Sequence, residues 1–500
     1  QYHQQQQQQQ SSNHNNNNNS DHHHIAEVTG FFCASGYRQT KEPSNQGRAT
    51  VCCLWPSCTT NFTPFTADLR TNATMSSRSD GNKKTLNVVI SAGQPRDRIT
   101  RVREVACFIH GLTPYEVEHG ILLVFDKEDS KIPMKRIPLK DNVAERYRDS
   151  IHVFTGLFFE ATSWTPANFM AGTIGYFSEV RVDNQLVVQG QLELQPRWME
   201  KLMPTIGRLL MFDLAVPATH DSGTYKRYTG QNLINRYRDC QEENVFTQLL
   251  YGVRAIDLRP AAVAKSSSPY NGYEYWIYHD IFPTKNSLET ILTDIRQFLD
   301  IFVNEVVFVD FHEFPIGFKH PDAFEGLAKL VNTILGDLVY PRNVVSPMSQ
   351  RLRDVIALGH RAIVTYEKNS QLRMNYLPGI EHLWANTDKL AKLQDYIQKN
   401  VLACRYERMW FFNAMSQITA QGMWNVIIDK YRGGVRGIAH QDNFRIATWY
   451  RYDTRLRDAV NLVAFDYVTS TDIVELCKEI NIERAQRHMS FSDYTYDYST

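Results

Sequence analysis

The sequence predicts an α/β protein: an irregular (β/α)8 TIM-type barrel, preceded by an antiparallel β-sandwich and a disordered N-terminal segment. Three observations predict it. Residues 1–24 hold only Gln, Asn, His, Ser, one Tyr and one Asp, and such a tract has nothing to bury. Between 85 and 195, β-branched and apolar runs of strand length recur between turn residues, with no helical pattern between them. From 196 onward, strand patterns alternate with helical ones, which implies a parallel sheet. About 300 residues of that alternation suit a barrel. The boundaries drawn are 1–84 for the leader, 85–195 for the sandwich, 196–487 for the barrel and 488–500 for a frayed tail.

Composition bounds the function. The 500 residues carry 54 Lys+Arg and 54 Asp+Glu, a net charge of zero. This argues against a chain-wide basic surface for nucleic acid. Apolar residues at 43% and aromatics at 12% suffice for a packed core. No run approaches the roughly 18 consecutive apolar residues of a transmembrane helix.

In the leader, His22, His23 and His24 form a short tract that reads as low complexity rather than a metal site. Cys33, Cys52, Cys53 and Cys58 crowd together, while Cys107, Cys240, Cys404 and Cys477 stand singly. None makes a Cys-x-x-Cys pair, so zinc is not expected, and the single cysteines read as small buried hydrophobes. The sequons at Asn18, Asn61 and Asn72 all precede residue 75. Two readings stand: a secreted protein whose leader is missing, or a cytoplasmic one that starts at Met75.

The predicted sandwich strands are Thr85–Ala92, Val102–His110, Ile121–Asp126, Ile151–Ala161, Thr173–Val182 and Gln185–Leu194. Asp126, Glu128 and Asp129 read as a solvated turn rather than a calcium loop. Trp164, Phe169 and Tyr176 suit either a lipid surface or a core.

In the barrel region, Leu209–Ala215, Gly252–Leu258, Tyr275–His279, Glu305–Phe311, Ala362–Tyr366, Met409–Asn413 and Leu462–Tyr467 read as strands. Ser287–Phe302 carries the helical stripe Leu288, Ile291, Leu292, Ile295, Phe298, Leu299 and Phe302, with Asn286 and Glu289 as a capping pattern. Phe324–Leu338 and Asp472–Ile480 are further helices.

Barrel enzymes carry their chemistry at the C-terminal ends of the strands. Those ends hold His220 and Asp221, Asp257 and Arg259, His279 and Asp280, Asp310, His312 and Glu313, and Asp466. Two histidines permit a general base and a general acid in one step, each oriented by a carboxylate. A central arginine binds an anion and stabilises charge as it develops. That set suits phosphoryl transfer without a metal. Ser222 lacks a G-x-S-x-G elbow and is not read as a nucleophile. A zinc set of His220, His279 and His312 stays open at this level.

These segments resemble phosphatidylinositol-specific phospholipase C. Leu214–Tyr225, with Pro217-Ala-Thr-His220-Asp-Ser-Gly223, resembles the opening of its X-box. Gly252–Arg259, Tyr278-His279, Glu305–Glu313 and Asn461–Val468 follow in the family's order, across residues 197–485. The likeness is to the X-domain-containing and bacterial proteins. Where calcium-dependent isoforms have a Glu-x-Asp metal pair, this chain has Asp257-x-Arg259. The resemblance therefore implies no calcium and no cofactor.

It implies that His220 deprotonates the inositol 2-hydroxyl, oriented by Asp466. His279, supported by Asp221, protonates the diacylglycerol oxygen. Arg259, positioned by Asp257, stabilises the phosphoryl oxygens, and Asp310 and His312 line the substrate site. The implied partner is an inositol phospholipid at a membrane surface. Ala218 and Asp280 replace two glycines of the pattern, and no lysine matches the one on the bacterial fourth strand. A non-catalytic inositide or protein binder that keeps the fold is the alternative.

Overall fold

The computed structural model describes residues 83–95, 101–159, 173–225, 233–342, 346–366, 376–404, 411–428, 430–431 and 433–492. The leader's cysteines and sequons, together with Trp164, Phe169 and the last eight residues, lie outside these. The described residues fall in one unit, Asp80–Thr500.

The first strands are β1 (Thr85–Ile90), β2 (Gln94–Pro95), β3 (Arg101–Val102), β4 (Glu104–His110), β5 (Ile121–Phe125), β6 (Lys135–Pro138), β7 (Val143–Tyr147), β8 (Ser150–Phe158), β9 (Thr173–Val182) and β10 (Gln185–Glu193). Eight of them build two four-stranded sheets, ordered β1-β4-β8-β7 and β10-β9-β5-β6, with antiparallel pairing throughout, and β2 pairs with β3 alone. Alternate residues point to opposite faces of a strand. One face of the first sheet sends Leu86, Val88, Ile90, Val105, Cys107 and Ile109 into a core shared with Leu122, Val124 and Val180 of the second. Its other face packs Val89, Ala106 and Phe108 against Phe444 of the helix Gly434–Tyr452. β4 is therefore buried at every position.

The remaining strands are β11 (Val216–Thr219), β12 (Ala255–Leu258), β13 (Pro260–Ala264), β14 (Tyr273–His279), β15 (Phe282–Ser287), β16 (Val307–Phe311), β17 (Ala362–Tyr366), β18 (Leu377–Pro378), β19 (Glu381–Leu383), β20 (Phe412–Met415) and β21 (Leu462–Phe465). Eight of them form a parallel sheet in the order β18-β17-β16-β12-β11-β21-β20-β19. Its edge strands are chain neighbours, since β18 ends at Pro378 and β19 starts at Glu381. Three peptide units reach at most about 11 Å. The two edges therefore stand side by side, and the sheet is curled. β11, β12, β16, β17, β20 and β21 are buried at every position. Burial on both faces explains why they read as continuous apolar runs.

Arg254 and Glu305 tie this sheet to the preceding segment. Both are fully buried, and Arg254 Nη2 lies 2.8 Å from Glu305 Oε2. The guanidinium also donates to the carbonyls of Gln195, Pro196, Leu249 and Val253. Glu305 accepts from the backbone N–H groups of Met199 and Glu200, at the start of the helix Trp198–Ile206. A buried charge needs such a complete set of partners.

Several expectations require correction. Leu209–Ala215 is not a strand: a 3-10 turn occupies Met211–Asp213, and the strand begins at Val216. Tyr275–His279 is a strand, but β14 pairs antiparallel with β13 and β15 outside the parallel sheet. The helix Leu288–Ile301 is capped by Ser287, which accepts from Thr290 N. Asn286 instead donates to the carbonyls of Gly223 and Tyr225. The first strand region contains a helix, Pro114–His119, closed by a Thr113–Glu116 capping box. The helices Leu390–Ala403 and Gly434–Tyr452 had no predicted counterpart, and the last helix runs to Ser492, past the expected tail start. Tyr176 packs against the core.

Candidate active site

Parallel strands place their C-terminal ends at one edge of a sheet. β11 leads into His220 and Asp221, β12 into Arg259, β16 into His312, and β21 into Asp466. His279 arrives by another route. β13 starts directly after Arg259, and its partner β14 returns antiparallel, with Pro260 opposite Ile277. Tyr278 N donates to Arg259 O, so β14 ends with His279 beside Arg259.

Asp221 follows His220 with a left-handed φ of 44°, a conformation that Asp tolerates better than most residues. Asp280, after His279, has a φ of 52° in the β14–β15 turn. The glycine in the corresponding position of the bacterial pattern matches that backbone demand. Gly223 is needed for close packing, because a Cβ there would sit 2.8 Å from Ile277 and 3.1 Å from Ile291.

His220 Nδ1 lies 2.7 Å from Asp466 Oδ1. The His220 and His279 rings meet edge to face, with centroids 6.4 Å apart. His279 Nδ1 lies 2.8 Å from the Arg238 carbonyl and 3.8 Å from Asp221 Oδ2. A carbonyl only accepts, so Nδ1 carries the hydrogen there. The direct hydrogen-bond partner of His279 is thus a main-chain oxygen, with Asp221 standing next to the ring.

Asp221 is fully buried, and neither of its carboxylate oxygens has a hydrogen-bond partner. Burial raises its pKa well above the usual carboxylate range, against the pull of Arg259. Asp257 goes the other way. Burial alone would raise it, but Arg259 and the nearby histidines His382, His312 and His220 hold its carboxyl below the usual range. Arg259 donates to Asp257, with Nη2 3.2 Å from Oδ2, and its Nη1 lies 3.6 Å from Glu313. Burial opposes the guanidinium charge, but Asp257, Glu313 and Asp221 outweigh it and raise the pKa. Asp257 Oδ2 also accepts Asp221 N at 2.9 Å. One carboxylate therefore fixes both the cation and the turn after His220.

Asp310 and His312 differ from expectation. Asp310 is buried, with one oxygen accepting from Thr365 Oγ1 at 2.5 Å and the other 2.8 Å from His382 Nε2. It is committed to these partners rather than open to a substrate. His312 stacks on His382, centroids 3.5 Å apart and planes 9° apart. Burial and the neighbouring His382 push its pKa down to about 3, so it is neutral at physiological pH. His382 is the residue that sequence reasoning missed. Its only signal was a histidine inside the short strand Glu381–Leu383.

Among the described residues, three groups bring metal-ligand atoms within reach of one another: His220, Cys240 and Asp466; Asp221, Cys240 and His279; and Asp310, His312 and His382. The imidazoles of the third group are stacked, so their in-plane lone pairs lie in two nearly parallel planes and do not converge on one point. In the first two, burial and then Asp466 and Asp221 raise the pKa of Cys240, which keeps its thiol protonated and a poor ligand. The alternative set of His220, His279 and His312 is not among these groups. Ser222 is fully buried, accepts Asp257 N at 2.8 Å and donates to Thr219 O. Its hydroxyl braces the turn.

No family model matches the chain. Curated relatives do. The chain is 28% identical over 225 residues to PI-PLC X domain-containing protein 1 of Homo sapiens, covering 40% of this chain and 66% of that protein, just under two thirds. It is 26% identical over 320 residues to PI-PLC X domain-containing protein 3 of Danio rerio, covering 59% of this chain and 95% of that one. The chain is thus similar in sequence to PI-PLC X domain-containing proteins. A solved phosphatidylinositol-specific phospholipase C from Staphylococcus aureus matches with a TM-score of 0.44 and 16% identity, over 57% of this chain and 97% of that one. The ends of β11, β12, β14 and β21 thus gather two histidines, three carboxylates and one arginine.

Proposed function

We propose that the chain is a phospholipase C-like phosphodiesterase that cleaves phosphatidylinositol or a related lipid without a metal. In this reading the curled parallel sheet is a TIM-type barrel and the two antiparallel sheets form a β-sandwich. The observation that carries the proposal is the pairing of His220 with Asp466 at 2.7 Å, beside His279 and the buried Arg259.

The geometry supports the following roles. Asp466 accepts the Nδ1 proton of His220, which leaves Nε2 to take a proton from the inositol 2-hydroxyl. That oxygen attacks phosphorus. Arg259, held by Asp257, stabilises the charge gathered on the phosphoryl oxygens. His279, entering as the imidazolium with hydrogens on both nitrogens, delivers its Nε2 proton to the departing diacylglycerol oxygen and is left neutral with its hydrogen on Nδ1. The product is a cyclic inositol phosphate, which the same pair working in reverse can open with water.

A membrane surface suits this substrate. No helix among the described residues is long and apolar enough to cross a membrane. Large apolar side chains nevertheless stand exposed on connections that follow the strands. Trp384 follows β19, Trp424, Ile427 and Ile428 lie on the connection after β20, and Ile281 sits in the turn beside His279. Trp424 is 71% exposed. Exposed apolar patches of this kind mark interaction surfaces.

A second reading keeps the fold for binding alone. The commitment of Asp310 to Thr365 and His382 favours it, because that strand end then offers no free carboxylate to a substrate. A panel of phosphodiester lipids, assayed for water-soluble phosphate products, separates the two. Turnover of an inositol lipid supports the enzyme, and binding without turnover on any lipid selects the binder.

A further inference from the structure

Both histidines are held by one short segment that no strand end would have revealed. The helix Leu233–Arg238 ends in Arg238, and Asp239, Cys240 and Gln241 then run along the edge of the site. The Arg238 carbonyl takes the Nδ1 hydrogen of His279 at 2.8 Å. Three residues on, the Gln241 amide donates to His220 O at 3.0 Å and to Phe465 O at 2.8 Å. Those carbonyls belong to the residue after β11 and the last residue of β21, so one side chain clamps the bases of His220 and Asp466. The amide oxygen accepts Val468 N at 3.3 Å. Gln241 is only 1% exposed, so each of these bonds forms away from water.

The segment between is anchored at each residue. Cys240 N and Gln241 N both donate to Thr224 O, at 2.9 and 3.1 Å. Tyr467 N donates to Cys240 O at 2.8 Å, and Tyr467 Oη to Asp239 O at 2.7 Å. Arg238 Nη1 reaches Pro283 O, next to the turn that carries His279.

We propose that residues 238–241 act as a brace that sets the orientation of both histidines together, with Gln241 as its positioning residue. Gln241 touches no reacting atom. It fixes the spacing of His220 and Asp466, and through the same four residues it holds the carbonyl that keeps His279 in its Nδ1–H tautomer. The kinetic part of this inference rests on the phosphodiesterase reading. The tautomer part does not.

The test uses the full chain with two variants. Gln241→Met keeps the side-chain length and removes the amide. Tyr467→Phe loosens the far anchor more gently, and serves if Gln241→Met does not fold. Nitrogen-15 shifts of the imidazoles report the tautomers, and turnover is read on phosphatidylinositol vesicles per folded molecule. The brace predicts an Nδ1–H His279 in the wild type and a mixed tautomer in the variant. It also predicts a kcat lower by about tenfold to a hundredfold, with a displaced pH profile and an unchanged KM. A wild-type His279 whose neutral form carries its hydrogen on Nε2 and not on Nδ1 overturns the brace. So does a folded variant with wild-type tautomers, kcat and pH profile. If the wild type turns over no lipid, the phosphodiesterase reading fails while the imidazole shifts still decide the brace.

Discussion

His279 directs its Nδ1 to the Arg238 carbonyl at 2.8 Å, not to Asp221, whose nearer oxygen is 3.8 Å away. The buried Asp221 carboxyl has no hydrogen bond of its own. A small rotation of the imidazole would exchange one acceptor for the other. The Arg238 carbonyl thus holds the Nδ1 hydrogen of the ring, and Nε2 is left for the leaving group.

That relationship sets the first prediction. His279→Ala and His220→Ala should each lower turnover by about a thousandfold while the fold persists. Asp221→Asn should lower kcat less than either, because the Arg238 carbonyl still orients the ring. Steady-state kinetics with circular dichroism on the same samples checks this. An Asp221→Asn loss equal to that of His279→Ala would place the carboxyl, not the carbonyl, in control.

Arg259 carries the second. Arg259→Ala should cost about a hundredfold or more in kcat. Arg259→Lys should recover only part of it, since an ammonium lacks the planar fork that Asp257 holds. Adding calcium to Arg259→Ala should not rescue it. Rescue by calcium would mean that a metal works at this position after all.

The third concerns stability. Glu305→Ala leaves the Arg254 guanidinium fully buried without its carboxylate partner. Breaking such a pair typically costs about 3–5 kcal/mol. Thermal unfolding should show a large drop, whereas Arg296→Ala, at an exposed pair with Asp300, should change little. Equal effects would refute the structural weight given to Arg254 and Glu305.

The fourth is a pH dependence. Burial, followed by the neighbouring His440, pushes the pKa of His152 down to about 3, and His312 is likewise held at about 3. Both values lie below the roughly 6.5 of an unfolded histidine. The unfolded chain therefore binds protons first as pH falls. Their contribution to stability is complete above about 6.5 and is lost progressively toward about 3. His152 packs against Phe108 with centroids 4.8 Å apart, so His152→Phe should fold. The variant's melting temperature should fall less steeply from neutral to acid pH. An unchanged slope would contradict the assignment.

The fifth concerns the membrane. Trp424→Ala together with Ile428→Ser should weaken vesicle binding at least about tenfold, given roughly 1.5–3 kcal/mol for burying a large apolar side chain. Hydrolysis of a soluble cyclic inositol phosphate should be unaffected. Flotation with inositol-lipid vesicles measures the first effect. Equal loss on the soluble substrate would show that the patch supports the site rather than the surface contact.

Much of the site was legible because strand ends are local signals. His220, Asp257, Arg259 and Asp466 each follow a short apolar run, and a parallel sheet brings such ends together. His279 was found for a reason that proved incomplete. Its strand belongs to an antiparallel meander, and the meander, not the parallel sheet, returns it to Arg259. Leu209–Ala215 looked like a strand because Leu209, Leu214 and Ala215 are core residues, although the chain turns there. Gly434–Tyr452 escaped notice because it is buried on more than one side, so its apolar residues trace no stripe. Arg238 and Gln241 were invisible in principle: one acts through its main-chain oxygen, and the other looks like any polar residue after a helix.

The central claim is metal-independent cleavage of an inositol phospholipid by paired histidines. The most direct measurement is phosphorus-31 NMR of the full chain with phosphatidylinositol vesicles in excess EDTA. The account predicts a cyclic inositol phosphate signal that appears with the wild type and is absent with His220→Ala and His279→Ala. Vesicle binding without any product, or product that forms only when calcium is restored, would contradict it.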